Sequence, residues 1–178
     1  MKKILAISGS NSKKSINFQL LKYASSFINE QSVQLVKLSD FPFPMYSVDV
    51  EETDGFKNSL IELKKDMDDA DGIIFAINEH NWGLSAFFKN TLDWLSRLES
   101  NFLKSKPVLI ICATPGRAGG SFALRSAADL LPRFGAEVTG TFAFPSFNHN
   151  FDTQKNSISN TELDIQLQEA LTVFIDKV

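Results

Sequence analysis

"KKILAISGSNSKKSINFQLLKYASSFI", residues 2–28, carries the decision about the fold. Ile4–Ser8 is an apolar run too short for a helix and continuous enough for a strand buried on both faces. A polar, serine-rich loop follows. Then Ile16, Leu20, Leu21, Ala24, Phe27 and Ile28 recur at the helical period, with Ser15 placed to cap the first turn. A buried strand, a loop and an amphipathic helix together open a βαβ unit. Outward from there the pattern repeats. Apolar runs at Val33–Leu38, Gly72–Ile77 and Pro107–Ala113, and a Val, Thr and Phe-rich run at Glu137–Phe144, read as further strands. Helical faces lie between and after them: Phe56, Leu60, Leu63, Lys64 and Met67; Phe87, Phe88, Leu92, Leu95 and Leu98; Phe122, Leu124, Ala128, Leu131 and Phe134; and Leu163, Leu167, Ala170, Leu171, Phe174 and Ile175. This alternation predicts a single α/β domain over 1–178, a doubly wound parallel sheet of five strands in flavodoxin-like order 2-1-3-4-5 with helices on both faces.

Composition sets what such a domain is expected to do. Charged residues make up 22% of the chain and the formal net charge is −3, which supplies no basic field for nucleic acid. A single cysteine, Cys112, excludes an internal disulfide and fits a reducing, cytoplasmic setting. No apolar stretch approaches the roughly 18–20 residues of a membrane span. The amino-terminal apolar run stops after about five residues, short of a secretory signal. Two histidines and one cysteine, far apart, have no metal-ligand spacing, and the expectation is a protein without a metal site.

In this fold ligands bind beyond the carboxyl ends of the strands, where the strand order reverses. The loops after the first, third and fourth strands therefore matter. The first, Ser8–Asn17, offers the hydroxyls of Ser10, Ser12 and Ser15, the amides of Asn11 and Asn17, and the free N–H groups where the helix begins at Ile16. Neutral donors converging on a helix amino terminus suit a phosphate. The spacing is neither a Walker loop nor a dinucleotide fingerprint. The loop after the third strand, "NEHNW" (78–82), places Asn78, Glu79, His80 and Asn81 where backbone and side chains can meet the polar edge of a ring, with Trp82 as a lid or an oligomer contact. The loop after the fourth strand, "ATPGRAGGSF" (113–122), has Thr114, Pro115 and three glycines, Gly116, Gly119 and Gly120, which would let the backbone approach a flat ligand.

These loops resemble those of the NADPH-dependent FMN reductases. That family opens with G-S-x-R-x-x-S-x-N, matched here at Gly9, Ser10, Ser15 and Asn17, with Ser12 at the arginine position. Its second loop reads P-E-Y-N, then L-K-N-A-x-D-W. Glu79, Asn81, Lys89, Asn90, Asp93 and Trp94 match, while Asn78 stands for the proline and His80 for the tyrosine. Its third loop ends G-x-x-G-G, matched at Gly116, Gly119 and Gly120. The resemblance implies FMN, with phosphate in the first loop and isoalloxazine against the other two, and NADPH or NADH as co-substrate. Electrons would pass to a small-molecule acceptor such as a quinone, an azo compound or a metal oxyanion, with no side chain acting as nucleophile. A flavin-binding electron carrier or non-enzymatic flavin sensor is the alternative. A homodimer or homotetramer is expected, because the helix from Ser85 to Ser100 adds Phe87, Phe88, Trp94 and Leu98 to its apolar face.

Overall fold

The computed structural model describes residues 1–28 and 31–178. Its elements run β1 (Lys3–Ser8), α1 (Ile16–Ser25), β2 (Ser32–Lys37), α2 (Val48–Asp54), α3 (Asn58–Asp69), β3 (Gly72–Ile77), β4 (Glu79–His80) and β5 (Gly83–Leu84). There follow α4 (Ala86–Leu98), β6 (Pro107–Ala113), α5 (Ser121–Leu130), β7 (Glu137–Phe144), α6 (Phe147–Asn150), β8 (Phe151–Asp152), β9 (Ser157–Ile158) and α7 (Thr161–Ile175). The long strands form one parallel sheet, β2-β1-β3-β6-β7. Counted among themselves they stand in the expected order 2-1-3-4-5.

Each central strand is buried on both faces, and its alternate side chains feed two cores. From β1, Leu5 and Ile7 join the layer under α3, α4 and α5, while Ile4 and Ala6 join the layer under α1 and α7. Ser15 caps α1 as expected, its Oγ accepting from the Phe18 N–H at 3.1 Å.

Two features depart from the sequence reading. A strap, residues 41–57 with the short α2, crosses the outside of α4. It is held by Trp94, whose Nε1 donates to the Pro44 carbonyl at 2.8 Å. Asn90 adds to this, accepting from the Tyr46 N–H at 2.7 Å and donating to the Pro44 carbonyl at 3.0 Å. The Tyr46 ring meets Trp94 edge-on at 5.2 Å. Asn90 and Trp94 of the family motif thus fasten this strap. Trp94 is 1% exposed and Phe88 0%, so neither is available to a second subunit. Trp94 and Phe88 are thus satisfied within the chain, while Phe87 and Leu98 stay partly exposed. The second departure is the hairpin β4–β5, a two-residue turn in which Asn81 (φ 50°) and Trp82 (φ 64°) both adopt positive φ. That matches a type I′ turn, which favours Asn and Gly and strains a bulky side chain such as tryptophan.

Candidate functional site

The carboxyl ends of β1, β3 and β6 lie side by side, with Ser8 opposite Ala76 and Ile77 opposite Cys112. The Gly9 N–H donates to the Ala76 carbonyl at 2.8 Å, pinning the first loop against the third strand. A side chain at Gly9 would put a Cβ 2.8 Å from the Phe88 ring, so the pinning requires glycine. The three loops enclose an open cleft of about 180 Å³ lined by Ser10, Ser12, Lys14, Ser15, Ile16, Asn17, Asn78, Glu79, His80, Ala113, Thr114 and Pro115. Ten of the residues expected from sequence therefore share one cleft. Asn81, at the hairpin tip, Gly116, Gly119 and Gly120 do not line it.

The serines face the cleft in a particular way. Ser10 Oγ accepts from the Ser12 N–H at 3.2 Å, Ser12 Oγ from the Lys14 N–H at 3.3 Å, and Ser15 Oγ from the Phe18 N–H at 3.1 Å. Each hydroxyl oxygen orders the loop as an acceptor and keeps its O–H to donate. At the start of α1 the N–H groups of Ile16 and Asn17 have no intrahelical acceptor. Lys14 also lines the cleft, and no carboxylate lies within 4.0 Å of its ammonium among the described residues.

Other side chains that line the cleft also hold its walls together. Asn17 was expected to offer its amide to phosphate. Instead its Nδ2 donates to the Ala113 carbonyl at 3.1 Å and its Oδ1 accepts from the Ala113 N–H at 2.7 Å, so both ends are committed to β6. Glu79 Oε2 accepts from the N–H groups of Phe122 and Ala123, both at 3.0 Å. It caps α5, whose own N-cap residue, Gly120, has no side chain to do so. Asn78 Oδ1 accepts from Ser85 Oγ at 2.9 Å, and its Nδ2 lies 3.3 Å from His80 Nε2, orienting the imidazole at the mouth of the cleft.

The glycines of the third loop answer first to the chain. Gly119 (φ 61°) and Gly120 (φ 82°) are required by the chain itself: a Cβ on Gly120 would lie 2.1 Å from Cys112 Sγ, and one on Gly119 3.1 Å from the Ala143 Cβ. Close approach to a ligand is not needed to explain them. Only Gly116, with nothing within 4 Å of a Cβ, is free of such a demand. Cys112 is core, and burial pushes its thiol up to about 12, where it is neither nucleophile nor ligand. Ser8, 1% exposed at the base of the first loop, has a hydroxyl with no partner among the described residues. No group of metal-ligating side chains occurs among the described residues, and none of their helices is long and apolar enough to cross a membrane.

Residues 2–149 match the sequence model of the NADPH-dependent FMN reductases. An uncharacterised protein of Mycoplasma pneumoniae is 32% identical over 152 residues, 81% of this chain and 87% of its own length. The quinone reductase of Escherichia coli is 37% identical over 78 residues, a match spanning 44% of this chain and 42% of that enzyme. Among solved structures, the flavoenzyme NAD(P)H:(acceptor) oxidoreductase FerB of Paracoccus denitrificans superposes with a TM-score of 0.81 at 22% identity, covering 99% of this chain and 97% of that one. The last of these establishes the flavodoxin-like fold, and the match over 2–149 establishes more: this chain belongs to the NADPH-dependent FMN reductase family.

Proposed function

We propose that the cleft holds FMN with its phosphate on Ser10, Ser12, Ser15 and the first-turn N–H groups of α1, and its ring against Asn78–Asn81 and Thr114–Gly116. The observation that carries this is the convergence of three hydroxyl donors, a helix amino terminus and Lys14 on one small cleft. FMN held there would supply the redox chemistry between NADPH or NADH and a small acceptor such as a quinone, an azo compound or a metal oxyanion.

The residues of the chain position it. The serine oxygens are tied to the loop backbone, so their donors are set before the phosphate arrives and little ordering is lost on binding. Asn17 fixes α1 to β6, and Glu79 fixes the hairpin to α5, so the phosphate end and the ring end of the site move as one body. At about 180 Å³ the cleft is smaller than a pocket that engulfs a cofactor. An open cleft of this kind would leave a bound ring accessible to the nicotinamide and to the acceptor. His80 stands at that opening. It puts an imidazole where the family has a tyrosine ring.

A cytoplasmic homodimer or homotetramer completes the reading. Its support is the exposed pair Trp82 and Phe122, 71% and 49% exposed and edge-on at 5.1 Å, beside the cleft mouth. Sedimentation at micromolar concentration tests the assembly, with a monomer overturning it. The function is tested by the visible spectrum of purified protein and by its steady oxidation of NADPH or NADH with a quinone. A flavin spectrum without turnover would favour the carrier or sensor.

A further inference from the structure

Two departures from the family's second loop, Asn78 for proline and His80 for tyrosine, touch each other: Asn78 Nδ2 lies 3.3 Å from His80 Nε2. A chain of hydrogen bonds fixes which atom donates. The Phe88 N–H donates to Ser85 Oγ at 3.2 Å, where Ser85 caps α4. Ser85 is 1% exposed, so its O–H needs an acceptor inside the protein, and it finds Asn78 Oδ1 at 2.9 Å. Turning the amide over would set that buried O–H against an NH2 group and leave it without an acceptor. The amide is therefore held with its N–H groups toward the imidazole. Nε2 of His80 can then only accept, which places the ring proton on Nδ1. Among the described residues nothing takes up that Nδ1–H, and no carboxylate lies within 4.0 Å of either ring nitrogen. His80 is exposed and lines the cleft, so the mouth presents an uncharged group that donates and does not accept. A tyrosine in its place would present a hydroxyl that does both.

We propose that His80 donates from Nδ1 to a carbonyl oxygen of the electron acceptor, and that Asn78 is the positioning residue that keeps the proton on that nitrogen. The choice of occupant rests on the reductase reading, and the donor-only character rests on Ser85 and the Asn78 amide. An uncharged N–H suits an uncharged oxygen. A quinone carbonyl offers lone pairs in the plane of its ring, open at the edge. An azo nitrogen is flanked by two aryl groups, and a metal oxyanion is better met by a cation. The consequence is a preference among acceptors, set by the two residues in which this loop differs from its family.

Two measurements on the FMN-loaded protein test this. The first needs no turnover: heteronuclear NMR of isotope-labelled histidines at about pH 8, where a histidine without a partner is neutral. The His80 signal, identified by its loss in His80→Phe, is expected in the Nδ1–H form, and Asn78→Ala should let the Nε2–H form appear. An Nε2–H or averaged signal in the wild type overturns the proposal. The second is steady-state kinetics with a benzoquinone and with ferricyanide, which offers no carbonyl oxygen. The ratio of kcat/KM for the quinone to that for ferricyanide should fall about threefold to tenfold in His80→Phe, which keeps a ring and loses the donor. It should recover in His80→Asn, whose amide N–H reaches about as far as Nδ1. Using the ratio cancels any change in flavin loading. An unchanged ratio in His80→Phe, or no recovery in His80→Asn, overturns the proposal and leaves the reductase reading standing. If the wild type reduces neither acceptor, the reductase reading fails and the carbonyl partner falls with it.

Discussion

The loop after β1 and the loop after β6 carry similar signals in sequence, small polar residues and glycines at the ligand end of a strand, yet they are built for different reasons. In the first, the side chains satisfy the loop with their acceptor oxygens and leave donors for a guest. In the second, two of three glycines answer to the chain: the backbone is left-handed there and Cys112 and Ala143 fill the space a side chain would need. A motif therefore marks a site without saying which of its members touch the ligand.

The largest effect should come from the second loop. Gly120→Ala places a Cβ 2.1 Å from Cys112 Sγ at a φ of 82°. Overpacking of about 1–3 kcal/mol and a left-handed penalty of about 1–2 kcal/mol add, for a loss of about 2–5 kcal/mol. In a chain of this size that lowers Tm by roughly 10 °C, measurable by thermal unfolding. Gly116→Ala meets nothing within 4 Å and should stay within about 0.5 kcal/mol of the wild type. If FMN binding falls in that variant, the ligand alone is the cause. Comparable destabilisation at both positions would erase the distinction.

Next is Asn17→Ala, which leaves a buried N–H and carbonyl of Ala113 without partners. Each such loss costs about 1–3 kcal/mol. Because the amide secures the scaffold, FMN and riboflavin should weaken alike. Ser10→Ala should do the opposite, holding Tm nearly constant and weakening FMN roughly tenfold to a hundredfold, about 1.5–3 kcal/mol, with riboflavin little affected. Fluorescence titration with both flavins separates the two. A phosphate-selective loss at Asn17 would contradict its assignment to the scaffold.

The smallest effect is a control at the other end of the sheet. Lys64, 8% exposed, bridges Asp68 and Glu99, each at 2.6 Å. Burial alone would raise the Asp68 carboxyl, but hydrogen bonds from Lys104 and Lys64 outweigh it and hold it below the usual range. The hydrogen bond from Lys64 lowers Glu99. Stability from depressed carboxylates is present above their unfolded values, near pH 4, and is lost as pH falls through the folded ones. Lys64→Met should flatten that acid loss in a pH series of Tm, while flavin affinity at neutral pH stays unchanged.

The sheet was legible because parallel strands buried on both faces read as unbroken apolar runs, and Ser15 announced its helix through its cap. The strap was not. α2, "VDVEETD", buries no residue and has no apolar period to read, and its anchors Asn90 and Trp94 lie more than forty residues away. The site was legible as three loops and a list of residue types. The committed roles of Asn17 and Glu79 were hidden, because their partners stand 96 and 43 residues away and only the fold brings them together.

The central claim is that the loop from Ser10 to Asn17 exists to hold a phosphate. Titrating flavin-free protein with FMN and with riboflavin, by quenching of flavin fluorescence, tests it most directly. The account predicts that FMN binds at least about a hundredfold more tightly, the sum of several charge-assisted hydrogen bonds absent from riboflavin. Equal affinities for the two flavins would contradict it.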